Sequence, residues 1–419
     1  MGFEYVDLFA GIGGFHLALD GMGGRCVFAS EIDQDALAIY KRNHESSMAG
    51  PIAGDIVPLT DGQVSRTIPR HDLLAAGFPC QPFSKSGAQQ GMNETRGTLF
   101  YNIAKVLERR KPRVVVLENV RNLTGPRHRH TWRLILHVLR DLGYHVSDQP
   151  TIISPHVLSP QQGGAPQMRE RVYIVGVYVG KRQAWRLVHE PFGIDLSQIG
   201  DWKPERWDLS RHLLQEDSDI SDLETYSLSS ERVAVIEMWE DFVQSIAMSS
   251  GKRLPGFPLW EFAMHVRPKI DSADPDWKVA FLEKNSSFYR QHREVISMWR
   301  KRHAELKRLS ISHRKLEWQA QDLGSIWQGV IQFRPSGVRV KKADYLPALV
   351  AMNQTSVIGA RRRTITVREA ARLQGFPDTF SFEGQSAAKS FRQLGNAVSV
   401  GTAKFVIDSI LHKLQVDLT

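Results

Sequence analysis

Cysteine is nearly absent: the 419 residues hold only Cys26 and Cys80, far apart and without metal-type spacing. Two such thiols leave no room for a disulfide framework or a cysteine-based zinc site, so no metal is expected and any special chemistry belongs to one cysteine at a time. Long apolar runs are also missing, and none approaches the roughly 20 residues of a membrane span. The first residues, Met1-Gly2-Phe3-Glu4, run straight into a strand-like segment and lack the basic region and apolar core of a signal peptide. Val6 stands where a myristoylation signal needs a hydroxyl. The expected location is therefore the cytoplasm. Acidic residues are in deficit, 45 against 54 Lys and Arg, for a net charge of +9. That excess suits a polyanionic partner, although many basic proteins bind no nucleic acid.

What is present is the length for two domains and an ordinary globular composition. The first 180 residues alternate short apolar runs with helix-like stretches, the pattern of an open α/β sheet. Strands are predicted at Glu4–Phe9, Cys26–Ser30, Asp72–Gly77, Val114–Glu118, Thr151–Ser154 and Arg171–Val179, with helices at Leu99–Arg109 and Trp132–Leu142. From about residue 184 the texture changes. Nine of the ten tryptophans fall between Trp185 and Trp327 and the alternation stops, which marks a separate domain or large insertion. Helices are predicted there at Ser230–Met248 and over the basic stretch Phe288–Arg308, which either runs along a polyanion or is a solvated face. Helical patterns return at Val367–Leu373 and Thr402–Leu414. The expected division is 1–183, 184–387 and a segment 388–419 that returns to the first domain.

Chemistry gathers at the carboxyl ends of the predicted strands. Asp7-Leu8-Phe9-Ala10-Gly11-Ile12-Gly13-Gly14-Phe15 ends the first strand and opens a helix, so a ligand can approach the backbone beside a helix N-terminus. Glu31 closes the second strand, where a carboxylate accepts from ribose hydroxyls, and Asp55 offers a second acid. A glycine turn of this kind also serves plain packing and nicotinamide enzymes. Cys80 follows Asp72–Gly77 and is flanked by Pro79 and Pro82, whose fixed backbone suits a presented side chain. A thiol with a lowered pKa adds to electron-poor rings, yet an isolated free cysteine is more often a small buried hydrophobe. Glu118 ends another apolar strand, where burial would let its carboxyl donate to or accept from a base ring. Arg169 and Arg171 alternate on one face, suited to a carboxylate, phosphate or carbonyl oxygen; surface ion pairing explains either one alone.

Taken in order, Phe9–Phe15, Glu31, Gly54–Ile56, Gly77–Ser84, Arg96–Phe100, Glu118–Val120, Gln167–Arg171, Arg363–Asp378 and Gln393–Val400 resemble the DNA cytosine-5 methyltransferases, and the resemblance covers about two thirds of the chain. It implies a doubly wound, mostly parallel α/β sheet of the Rossmann-like methyltransferase type, with a smaller target-recognition domain. It implies an S-adenosylmethionine site formed by Phe9, Gly11, Gly13, Glu31, Ile32, Asp55, Ile56, Pro79, Leu99, Asn396 and Val398. Glu31 would take the ribose, Asp55 the adenine amino group, and Phe9 would pack on adenine. Cys80 would attack C6 of a cytosine flipped out of duplex DNA. Glu118 would engage N3 and the exocyclic amine, and Arg169 and Arg171 the cytosine carbonyl. The segment 84–96 would close on DNA, with contacts from Ser84, Ser86 and Arg96, and a basic cluster Arg121, Arg127, Arg129, Arg133 follows Glu118.

The resemblance further implies a monomer acting in a restriction–modification system beside an endonuclease, associated with the nucleoid through DNA. Residues 184–362 have no counterpart among the shared motifs. Pro347–Ala351 stands where a Thr-Leu pair often closes that region, and Ala397 where Ser is frequent. A tRNA cytosine-5 methyltransferase shares the motifs but not the long variable region. A catalytically inactive relative would not need every catalytic position intact.

Overall fold

The computed structural model describes residues 2–62, 64–79, 98–190, 192–194, 196–251, 254–320, 323–349 and 355–414. Cys80, Ser84, Ser86 and Arg96 lie outside the described residues. The chain forms two compact units, Met1–Trp207 with Ala348–Met352 and Ala370–Thr419, and Asp208–Pro347 with Asn353–Glu369.

The first unit is built on strands β1 (Glu4–Leu8), β2 (Arg25–Ser30), β3 (Ile52–Ala53), β4 (Leu73–Gly77), β5 (Val114–Val120), β6 (Tyr144–Val146), β7 (Thr151–Ile153) and β8 (Arg171–Tyr178). They lie in the order β3-β2-β1-β4-β5-β8-β6, with β7 also paired to β8. The pairs from β3 through β5 are parallel, and β8 runs antiparallel to β5, β6 and β7. Consecutive residues send side chains to opposite faces, and both faces are covered, which is why these strands read as near-continuous apolar runs. Leu74, Ala76, Val115 and Leu117 pack under the helices Leu99–Arg110 and Arg129–Asp141. Leu73, Ala75, Val114 and Val116 pack against Phe15, Leu19, Tyr40, Val406 and Ile410 on the other side. The order reverses between β1 and β4, and open α/β sheets bind ligands at the carboxyl ends of such a switch point.

The predicted strands agree with this sheet to within one or two residues. The edge strand Tyr144–Val146 was not predicted, because three residues are too short to show a period. One stretch, Ala387–His412, has the length and apolarity of a membrane-crossing helix, which the absence of long apolar runs did not lead us to expect. The chain leaves helical geometry at Ala397 (φ −63°, ψ 147°), and 67% of the most apolar window is buried, so the apolarity serves the core.

Among the described residues the second unit carries a six-stranded sheet of β9 (Leu259–Trp260), β10 (Lys315–Gln319), β11 (Val330–Arg334), β12 (Gly337–Lys341), β13 (Val357–Ile358) and β14 (Arg363–Thr364), in the order β9-β10-β12-β11-β13-β14. Its core takes up part of the tryptophan enrichment, with Trp239, Trp299 and Trp318 buried in it, while Trp185, Trp202 and Trp207 belong to the first unit. Trp239, on the helix Ser230–Ser250, and Trp299 are fully buried with ring centroids 5.4 Å apart. Their indole N–H groups donate to His313 O and Met238 O at 2.8 and 2.9 Å.

The basic stretch Phe288–Arg308 is not one helix. One helix ends at Gln291, a second spans Arg293–Arg302 and a 3₁₀ turn spans Ala304–Arg308. Arg300 is tied within the unit: its Nε donates to Glu261 Oε1 at 2.9 Å, and its Nη atoms donate to the carbonyls of Met264 and Glu261. Arg302 is likewise committed to Asp241.

At the end of this unit, Arg363 grips the buried Glu369 by two bonds of 2.9 and 2.8 Å and reaches Asp217 with Nε at 2.9 Å. Glu369 also accepts from the backbone N–H of Thr366 and Gln215. Truncating one partner strands the other charge in the interior. Arg363→Ala is expected to cost about 3–5 kcal/mol in urea unfolding followed by tryptophan fluorescence. A loss below about 1 kcal/mol, the range of a surface pair, would contradict this reading.

Candidate active site

At the switch point, a cavity of about 390 Å³ opens beyond the carboxyl ends of β1, β4 and β5. The turn after β1 is its first wall. Phe9 holds a left-handed backbone (φ 55°), an uncommon conformation that persists only where its surroundings enforce it. Gly13 takes φ 94°, and a Cβ there would collide with the His44 imidazole. His44 in turn donates from Nε2 to Ile12 O at 3.2 Å and fixes the turn from beneath.

Glu31, just past β2, bridges this turn to the next helix. One carboxylate oxygen accepts from Gly11 N–H and the other from Asp33 N–H, both at 2.8 Å. Burial raises its pKa above the ordinary carboxylate value despite those bonds. Asp7, fully buried at the end of β1, is raised well above its usual value by burial first and then by the nearby Glu31.

The floor is made by β5 and β8. Glu118 is 8% exposed, and its Oε1 lies 3.0 Å from Arg171 Nε. Burial raises the Glu118 pKa, while Arg171 and Arg169 pull it back down. Arg169 is more deeply buried, and burial pushes its guanidinium down to about 9. It donates to three carbonyls, Leu349 at 3.1 Å, Gly395 at 3.0 Å and Ala397 at 2.9 Å.

Of the residues predicted to hold a cofactor, Phe9, Gly11, Glu31, Ile32, Pro79, Leu99 and Asn396 line this one cavity, together with Glu118, Arg169 and Arg171. Gly13, Asp55, Ile56 and Val398 are not in its wall. Gly13 packs on His44, and Ile56 is buried in the core. The exposed Asp55 caps the helix Ile56–Asp61 by accepting from Val57 N–H, and Val398 packs beneath Gly14 and Gly77. In the basic cluster, Arg121 is paired with Glu170 at 2.5 Å, while Arg127, Arg129 and Arg133 are exposed.

Sequence reasoning passed over Asp33, Asn119 and Arg392, which also line the cavity. Asn119 donates to Phe78 O at 2.8 Å and so anchors the backbone two residues before Cys80. Its place beside Glu118 at a strand end was the available signal. Arg392 approaches Asp33 and Asp35 at 3.6 Å, a pairing across more than 350 residues that no local pattern reveals.

The volume and lining suit a nucleoside-sized ligand: apolar walls, a few fixed polar groups and a carboxylate at the end of β2. Such a crevice on a doubly wound sheet defines a nucleotide-cofactor enzyme of the Rossmann-like class. Residues 3–412 match the family described as C-5 cytosine-specific DNA methylase, and the chain belongs to that family. It is 39% identical to the Type II methyltransferase M.AluI of Cellulosimicrobium cellulans, over 97% of this chain and 91% of that one. It is 30% identical to the Type II methyltransferase M.DsaV of Dactylococcopsis salina, over 99% and 87% of the two chains. Its fold is similar to that of the S. pombe Dnmt2 methyltransferase (TM-score 0.50, 19% identity, 99% and 100% covered). The protein is thus a DNA cytosine-5 methyltransferase, and its cofactor is S-adenosylmethionine.

The buried acid beneath the glycine turn gives a pH test. Because the folded-state pKa of Asp7 is raised, the folded chain binds this proton more tightly than the unfolded chain. Stability from this group is therefore lost as pH rises from the ordinary aspartate value toward the folded one. In urea titrations between pH 4 and 8, Asp7→Asn should gain on wild type by up to about 1.4 kcal/mol per pH unit within that window. A difference that does not change with pH would refute it.

Proposed function

We propose that the chain methylates cytosine in a specific duplex DNA sequence through a covalent Cys80–C6 adduct, as the modification enzyme of a restriction–modification system. The observation that carries the reading is one cavity. It joins the glycine-turn residues and Glu31 to Glu118 and Arg171, and Pro79, the residue before Cys80 in the sequence, lines it.

S-adenosylmethionine supplies an electrophilic methyl group when bound. Phe9, Ile32 and Leu99 would flank its adenine and Glu31 its ribose. The Cys80 thiolate adds to C6 of the flipped-out base, and the electron pair moves to C5. Glu118, its carboxyl biased toward the neutral form by burial, donates to N3 and draws density from C6. Arg171 holds Glu118 and faces the cytosine carbonyl, while Arg169 positions the segment Gly395–Ala397. Once C5 is methylated, its proton leaves and the C5–C6 double bond re-forms as Cys80 is expelled. The other cysteine cannot substitute: Cys26 is fully buried and burial pushes its thiol up to about 12.

Target recognition belongs to residues 184–387 in this proposal, with 1–183 and 388–419 as the catalytic domain; within the first range, Asp208–Pro347 and Asn353–Glu369 form the second unit, while the residues before Asp208 and after Glu369 pack in the first. Ser84, Ser86 and Arg96 contact DNA. The enzyme acts as a cytoplasmic, nucleoid-associated monomer paired with an endonuclease, as the Type II relatives suggest.

Labelled methyl transfer tests the proposal. Duplex DNA should accept label while tRNA does not, and Cys80→Ser should lose transfer by a factor of at least about 10⁴ with cofactor binding kept. Transfer to tRNA in place of DNA, or appreciable turnover by Cys80→Ser, would overturn it.

A further inference from the structure

The parallel strands have a second end, and it carries a cleft of its own. Where β1, β4 and β5 begin, a cavity of about 390 Å³ opens beside the last turn of the helix Leu99–Arg110. Arg70, Arg109, Arg110, Lys111 and Arg113 line it against two carboxylates, Glu4 and Asp72. Both acids make contacts of their own, against five cations in the lining. Asp72 Oδ2 accepts from Glu4 N–H at 2.9 Å, and the Glu4 side chain is paired with Arg25. Among the described residues Arg70, Arg109 and Lys111 make no ion pair.

Burial first, and then the neighbouring Arg70, lowers the pKa of Arg110, whose Nε donates to Ile68 O at 2.6 Å. The floor is His71, 7% exposed. Its Nδ1 donates to Pro69 O at 2.9 Å and leaves Nε2 a buried acceptor with no hydrogen-bond partner. Burial pushes its pKa down to about 4, so the floor stays neutral and offers a lone pair to a bridging water.

We propose that this cleft holds the phosphate backbone of a second DNA segment, separate from the one that delivers the cytosine. The inference rests on duplex DNA being the substrate. A small anion is normally enclosed by buried donors, whereas Arg70, Arg109, Lys111 and Arg113 are exposed at a rim, which suits an extended polyanion read by charge. Five-residue strands rising about 3.3 Å per residue set this edge roughly 17 Å from the cofactor crevice, at the opposite end of the sheet. A duplex seated at the crevice therefore does not occupy it. An enzyme holding two segments would pass from one to the other without first entering solution.

The test uses the full chain with Arg70, Arg109 and Lys111 replaced by Glu, and a parallel variant with Ala at the same three positions. Methylation of a short single-site duplex at saturation should match wild type in both, which establishes folding and the main activity independently. Titration of that duplex at low salt should give two duplexes per wild-type chain and one per Glu variant. In the Ala variant the second affinity should fall on the order of tenfold or more. One duplex per wild-type chain, or two per Glu variant, overturns the second site while leaving the methyltransferase reading intact. Loss of methylation in both variants also overturns it, because these residues would then belong to the cytosine-delivering contact.

Discussion

The catalytic unit depends on one buried guanidinium. Arg169 sits almost fully out of water, where an arginine is costly unless its donors are met. Its two Nη atoms meet backbone carbonyls from segments 180 to 228 residues away, at Leu349, Gly395 and Ala397, while the buried Nε has no hydrogen-bond partner among the described residues. A hydrogen bond to a charged group contributes about 1.5–3 kcal/mol, so three of them on one side chain fix where the late chain returns. That return carries Gln393, Gly395 and Asn396 into the wall of the cavity that Phe9, Gly11 and Ile12 also line. This part of the cavity wall is held by a buried charge tied to main chain through three bonds.

The same economy recurs on a smaller scale. Glu31 spends both carboxylate oxygens on the backbone of Gly11 and Asp33, and Asn119 spends its amide on Phe78 O. These bonds hold segments that line the crevice, so its wall is fixed by the protein's own contacts. Glu118 lies between two opposing influences, burial on one side and Arg171 on the other, and burial prevails. The outcome is a carboxyl able to donate to a base ring.

Much of this was readable in the sequence where the signal is local. Strands buried on both faces announce themselves as apolar runs, and the residues that follow them fall on one edge of the sheet. That is how Phe9, Glu31 and Glu118 could be placed together in advance. Other features depend on distant partners. Arg169 reads as one of two alternating arginines until Gly395 and Ala397 are seen against it. Arg300 looked like part of a basic stripe, and only Glu261, 39 residues earlier, shows where its charge goes. A three-residue edge strand such as Tyr144–Val146 carries too little periodicity to find.

The central claim concerns the bond between Cys80 and cytosine. Duplex DNA carrying 5-fluorocytosine at the target position retains the electron-poor C6 but has no C5 proton to lose, so elimination stalls after methyl transfer. Mass spectrometry of the enzyme incubated with that duplex and cofactor should find a stoichiometric adduct on the peptide containing Cys80. An enzyme active on ordinary duplex that forms no adduct with the fluorinated one, or forms it on another residue, would contradict the account.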